Sequence, residues 1–146
     1  MDSSKSRTFT ASIDMLNSMV VLMLGNDFAT HRRNFVSLAE SDDDAKKMGE
    51  LFDGVVEQIA IEDGPSVLGL TIFNKEAGCM PFIFLKVAEI PVLVHELVHV
   101  VNYIIKFHGM AYGSDSDELF AKMMEYLTRV FWSATNDWSN PITDNT

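Results

Sequence analysis

A single cysteine, Cys79, stands in 146 residues. No internal disulfide can form, and the fold must rest on its core. Basic residues are scarce as well: 11 lysines and arginines face 21 aspartates and glutamates, a formal net charge of −10. Phosphate backbones are gripped by clustered Lys and Arg. The one basic cluster, His31-Arg32-Arg33, is too small for that and reads as a solvated loop, so nucleic acid is excluded as the main partner. Long apolar runs are missing too. Met19–Leu24 is too short to span a bilayer, and Ile90–Ile105 is interrupted by His95, Glu96 and His99. No apolar segment follows Met1–Arg7, so no secretory signal is expected. These absences predict a cytoplasmic protein with no membrane partner.

What remains has the composition of an ordinary globular domain, with 47% hydrophobic and 22% charged residues. A chain of this length can bury roughly 70% of its unfolded surface without a staple. The expected organisation is a loose N-terminus over 1–7, one domain over 8–132 and a polar tail over 133–146.

Along that domain, Phe9, Ala11, Ile13 and Met15 alternate with polar residues, which predicts a half-buried strand over Thr8–Met15. Met19–Leu24 reads as a buried strand or as the continuation of a bent one. Phe28–Ala39 is ambiguous. Ser41 followed by Asp42-Asp43-Asp44 predicts a capped helix whose dipole the acidic run complements, and Ala45, Met48, Leu51, Phe52, Val55, Val56 and Ile59 give it an apolar stripe. That acidic run needs no metal to explain it. Ser66–Phe73 and Cys79–Val87 read as strands joined by a hairpin loop, with Cys79 a small buried hydrophobe. A helix is expected from Pro91 to about Phe107, stopped by Gly109. Ser114 then caps a last helix with a broad apolar face from Leu119 to Phe131. The class is α+β: a small sheet of three or four strands packed on the Pro91 helix, with one helix before it and one C-terminal helix.

The chemistry concentrates in His95-Glu96-Leu97-Val98-His99. On a helix, positions i and i+4 share a face, so both imidazoles can reach one divalent ion. Zinc takes imidazole at about 2.0–2.1 Å and tolerates an open position for water. Glu96 is rotated off the pair and suits a general base. The flanking residues Val92, Leu93, Val94, Leu97, Val98, Val100 and Val101 are all apolar. Ionisable groups buried among them need a partner, and a metal satisfies all three. The plainer reading is two core histidines bonded to backbone.

A catalytic zinc needs a third protein ligand. The metzincin continuation requires Gly at 102 and His at 105, where the chain has Asn102 and Ile105. A carboxylate on the next helix is the other solution, and Glu118, 19 positions after His99, fits it. Asp117, Glu125 and His108 stay open as alternatives, and Glu125 also suits the outer shell. Tyr112, Tyr126, His108 and Tyr103 are candidate donors to an oxyanion. The strand Cys79–Val87 could offer an edge for an extended peptide.

The stretch Val94-His95-Glu96-Leu97-Val98-His99-Val100, followed by Asp117-Glu118-Leu119-Phe120-Ala121 and Glu125-Tyr126, resembles the zincin metallopeptidases that use a glutamate as third ligand. It is most similar to the small zincin-like proteins of tailed bacteriophages and prophages. The likeness covers about residues 90–127; Lys122 departs from it, standing where an aromatic residue is expected. The resemblance implies a zincin-like fold and one zinc ion per chain on His95, His99 and Glu118. It also implies Glu96 as base and a peptide or protein substrate, in host cytoplasm if the chain is phage-encoded. The rival expectation is a structural or assembly protein, with a virion partner, that keeps the fold around a non-catalytic metal site.

Overall fold

The computed structural model describes residues 6–74, 78–110 and 114–139, with no side-chain description for 114, 115 or 134–139. Its elements run β1 (Arg7–Ile13), a 3-10 turn at Asp14–Leu16, β2 (Ser18–Leu24), α1 (Phe28–Val36), α2 (Asp42–Glu62), β3 (Gly69–Ile72), β4 (Phe82–Leu85), α3 (Ile90–Phe107) and α4 (Ser114–Ser139). The class is α+β, as expected, with a mixed four-stranded sheet in the order β1-β2-β4-β3.

The first apolar segments form two strands of an antiparallel hairpin, Arg7 opposite Leu24 and Ile13 opposite Ser18. The turn between them leaves Met15 almost wholly exposed and closes on Asn17 at φ +46, a left-handed conformation that asparagine tolerates better than most residues. β2 then pairs in parallel with β4, Val21 to Phe82 through Leu24 to Leu85. β3 lies antiparallel on the far side of β4. Both β2 and β4 are therefore interior strands, which is why their sequences read as unbroken apolar runs rather than alternations.

Each face of the sheet has its own core. Val21, Met23, Ile72, Phe82 and Phe84 pack under α1 and α2 against Phe35, Phe52, Val55 and Ile59. Val20, Leu22, Leu24, Ile83 and Leu85 point the other way, under α3 and α4. Ser41 caps α2 by accepting from the Asp44 amide at 3.1 Å, as its sequence predicted.

Four expectations need correction. Two helices precede α3, because Phe28–Val36 is helical, capped by Asp27, whose side chain accepts from the Thr30 amide. His31-Arg32-Arg33 is not a loop: it lies in α1, with His31 fully buried and Arg32 paired to Asp53 at 2.9 Å. α4 runs to Ser139, through the first half of the segment expected to be a tail. Ser6 is buried and Arg7 opens β1, so the stretch expected to be loose is ordered at its end; positions 1–5 lie outside the described residues.

α3 is held hard. Leu93, Leu97, Val100, Val101, Ile104 and Ile105 have no exposed surface, and each such side chain contributes about 1.5–3 kcal/mol by leaving water. By length and composition α3 alone among the described helices could cross a membrane. Its apolar stripe is instead spent on the sheet and on α4.

Candidate metal site on the third helix

α3 carries its polar residues on the side turned from the core. His95 and His99 are exposed, with ring centroids 5.0 Å apart and planes at 78°. Neither imidazole has a hydrogen-bond partner among the described residues. Between them in sequence, Glu96 turns inward and is only 6% exposed. Its Oε1 accepts from the Thr71 hydroxyl at 2.7 Å, while Oε2 lies 3.9 Å from His95 Nε2. One carboxylate oxygen is thus tied to β3 and the other faces the His95 imidazole. A buried carboxylate without a donor would cost several kcal/mol, so Thr71 is what allows Glu96 its place.

β3 approaches α3 closely because Gly69 has no side chain. A Cβ there would meet Leu85 Cδ2 at 2.9 Å, Val92 Cγ1 at 3.1 Å and Glu96 Cγ at 3.3 Å. Beside this contact an open cleft of about 420 Å³ is lined by Val67, Leu68, Pro91, Val92, His95 and Glu96 among others. Its strand wall is β3, the outermost strand on this side of the sheet. The edge expected from Cys79–Val87 is therefore corrected. β4 sits between β2 and β3 with both sides paired, and β3 offers the free edge.

The remaining candidates are dispersed. Glu118 is exposed and faces Lys122 Nζ at 3.9 Å, in a groove with Ile13, Leu16, Leu119 and Tyr126. α4 packs inward through Met123, Leu127 and Phe131, and Glu118 and Ala121 lie off that stripe. Among the described residues no three His, Cys, Asp or Glu side chains converge where they could hold a metal. The structure thus brings His95, Glu96 and His99 together and does not bring Glu118 to them. Glu125 pairs with Arg129, Asp117 is exposed, and His108 meets Ser18 Oγ at 3.2 Å at the far end of α3. Tyr126 donates to the Ser12 carbonyl at 3.0 Å. Tyr112 and the side chain of Asp115 lie outside the described residues. Of the described tyrosines, Tyr103 alone continues the His95–His99 face, one turn on. Burial, with Cys79 nearby, pushes its phenol up, so it stays a neutral donor.

Cys79 is buried beside Ser18, and burial pushes its thiol up, which fits a small hydrophobe rather than a nucleophile. Thr71 and Gly69 were missed from sequence. The one signal was a lone hydroxyl and a lone glycine inside an otherwise apolar strand. Comparison with protein-family models, curated proteins and solved structures finds no match to this chain.

Proposed function

We propose that this protein is a cytoplasmic zinc-dependent hydrolase that cleaves peptide bonds in the cleft between β3 and α3. The observation that carries the reading is the buried Glu96 carboxylate, tied to Thr71 and set 3.9 Å from the exposed His95 imidazole, which in turn lies against His99. His95 and His99 would hold the ion. Zinc held there supplies Lewis acidity toward a carbonyl oxygen and acidifies a water molecule. Glu96 takes the proton of the attacking water at Oε2, the oxygen that Thr71 leaves free, and delivers it to the departing amine as the C–N bond breaks. The open edge of β3 aligns an extended peptide by backbone pairing.

The resemblance to glutamate zincins adds Glu118 as third ligand, and in this fold that ligand would have to be carried to the pair from the Lys122 side of α4. The absence of a third converging ligand among the described residues favours a second reading, a phage structural or assembly protein that keeps a two-histidine metal site without turnover.

Zinc content and peptide-library cleavage separate the two. Wild type purified without chelator should hold close to one zinc per chain, and His95→Ala and His99→Ala should lose it; less than about 0.2 zinc in wild type sinks the metal site. Glu96→Gln should keep the zinc and lose about 10²–10⁴-fold of the cleavage rate. No cleavage by zinc-loaded wild type decides for the structural role. Glu118→Gln tests the third ligand: a tenfold or greater loss of zinc affinity assigns it, and an unchanged affinity removes it.

A further inference from the structure

Beyond His99 the outer face of α3 continues into aromatic rings. Phe73, the residue that follows β3, stacks on Tyr103 with centroids 4.2 Å apart and planes 15° from parallel. Phe107 tilts against the same ring at 5.9 Å. Phe73 is 39% exposed and Phe107 47%. Single exposed apolar side chains are common, but a stack of rings continuous with a cleft marks a binding surface. β3 and α3 run in the same direction, since Gly69 abuts Val92, Thr71 bonds Glu96 and Phe73 covers Tyr103. The cleft at His95 and the stack are therefore successive stations along one open strand edge.

We propose that the Phe73–Tyr103 stack is the specificity subsite of this cleft, receiving an aromatic side chain two residues N-terminal to the bond that is cut. The spacing sets the position. Thr71, which holds Glu96, and Phe73, which covers Tyr103, are two residues apart along the strand, and a paired peptide spans that offset with two residues of its own, about 6.8 Å with side chains on the same face. The direction follows from strand pairing. Antiparallel pairing is the more stable per residue, and a peptide antiparallel to β3 has its N-terminal part over Phe73. The chemistry follows from the rings, whose faces and edges pair with a third ring at a gain of about two- to tenfold in affinity beyond area alone.

The subsite rests on the peptide reading above, and binding rather than turnover tests it. Full-length Glu96→Gln protein is titrated by NMR with capped alanine hexapeptides carrying Phe, Leu, Arg or Ala at one position at a time. Phe at the subsite position should bind at least fivefold tighter than Ala and shift the amide signals of residues 71–73 and 99–107. Tyr103→Leu should bring the two peptides within twofold, while Tyr103→Phe keeps the preference. Phe73→Leu supplies a second variant if Tyr103→Leu unfolds. Equal binding of Phe and Ala, a preference for Arg, a preference that survives loss of either ring, or no binding by any peptide overturns the subsite. Cleavage without the aromatic preference sinks the subsite alone, and the preference without cleavage sinks the peptidase reading alone.

Discussion

His31 and Thr71 each tie separate elements together through side-chain hydrogen bonds, and neither stands out in the sequence. The His31 ring is fully buried in α1. Nε2 donates to the Gly25 carbonyl at 2.9 Å, and Nδ1 accepts from Thr8 at 2.7 Å, tying β1, the end of β2 and α1 together. Burial lowers its pKa from 6.5, against smaller opposing effects of the Gly25 bond and Asp27. Above pH 6.5 the ring is neutral in folded and unfolded chains alike and contributes no pH dependence. Below 6.5 the unfolded chain takes up the proton that the folded one resists, so stability falls with pH from 6.5 down through the lowered folded value. Urea midpoints over that window should decline for wild type and stay flatter for His31→Gln. The aspartates at 27, 53 and 63, held below 3.8 by their donors, act only at lower pH. An identical slope in the variant would show that His31 does not carry the effect.

At the scale of elements, two glycines at close packing points should behave oppositely. Gly69 faces three side chains at once, the buried Leu85 and Glu96 and the β-branched Val92, which have little room to swing aside, so Gly69→Ala should push β3 from α3, at about 1–3 kcal/mol. At Gly49 the near atom is Arg32 Nη2 at 2.5 Å, the tip of a half-exposed side chain that can swing aside. Gly49→Ala forfeits an exposed, solvent-screened ion pair and gains about 1 kcal/mol of helix propensity. It should leave stability unchanged or raise it slightly. Urea denaturation of both variants checks the contrast, and equal losses would refute it. The same elements show what the sequence discloses. α2 was legible because the Ser41 cap and a 3.6-residue stripe specify it locally, and α3 because Pro91 opens it, Gly109 follows it and its apolar stripe is unbroken. α1 was not, because a histidine fills one of its core positions and breaks the stripe. The strand order was hidden, since an unbroken apolar run marks a strand as interior but does not say which strands flank it until long-range pairing assigns them. His95, Glu96 and His99 were legible because four residues of helix fix their relation. Glu118 was not, because its position depends on how α4 rotates against its neighbours.

At the scale of the molecule, the sheet separates two cores, and only one of them underlies the histidine pair. Phe52 packs on Phe82 and Phe35 beneath α1 and α2. Phe52→Leu should lower stability by about 1–3 kcal/mol and leave the zinc affinity of the folded protein within twofold. Leu97→Ala, in the core under α3, should cost about 2–5 kcal/mol and weaken zinc binding as well. Calorimetric titration beside urea melts measures both quantities. A Phe52→Leu protein that loses zinc in proportion to its stability would show that the two layers are coupled through the sheet.

The partition has a further consequence in time. A ribosome that has released β1 through β4 has supplied every strand of the sheet and both helices of one layer, but nothing for the other. Until α3 emerges, Val20, Leu22, Leu24, Ile83 and Leu85 form a bare apolar wall. A nascent chain halted near residue 89 would therefore be sticky and a target for chaperones or proteases, and the wall closes only once α3, which bears the histidines, and α4 have both arrived.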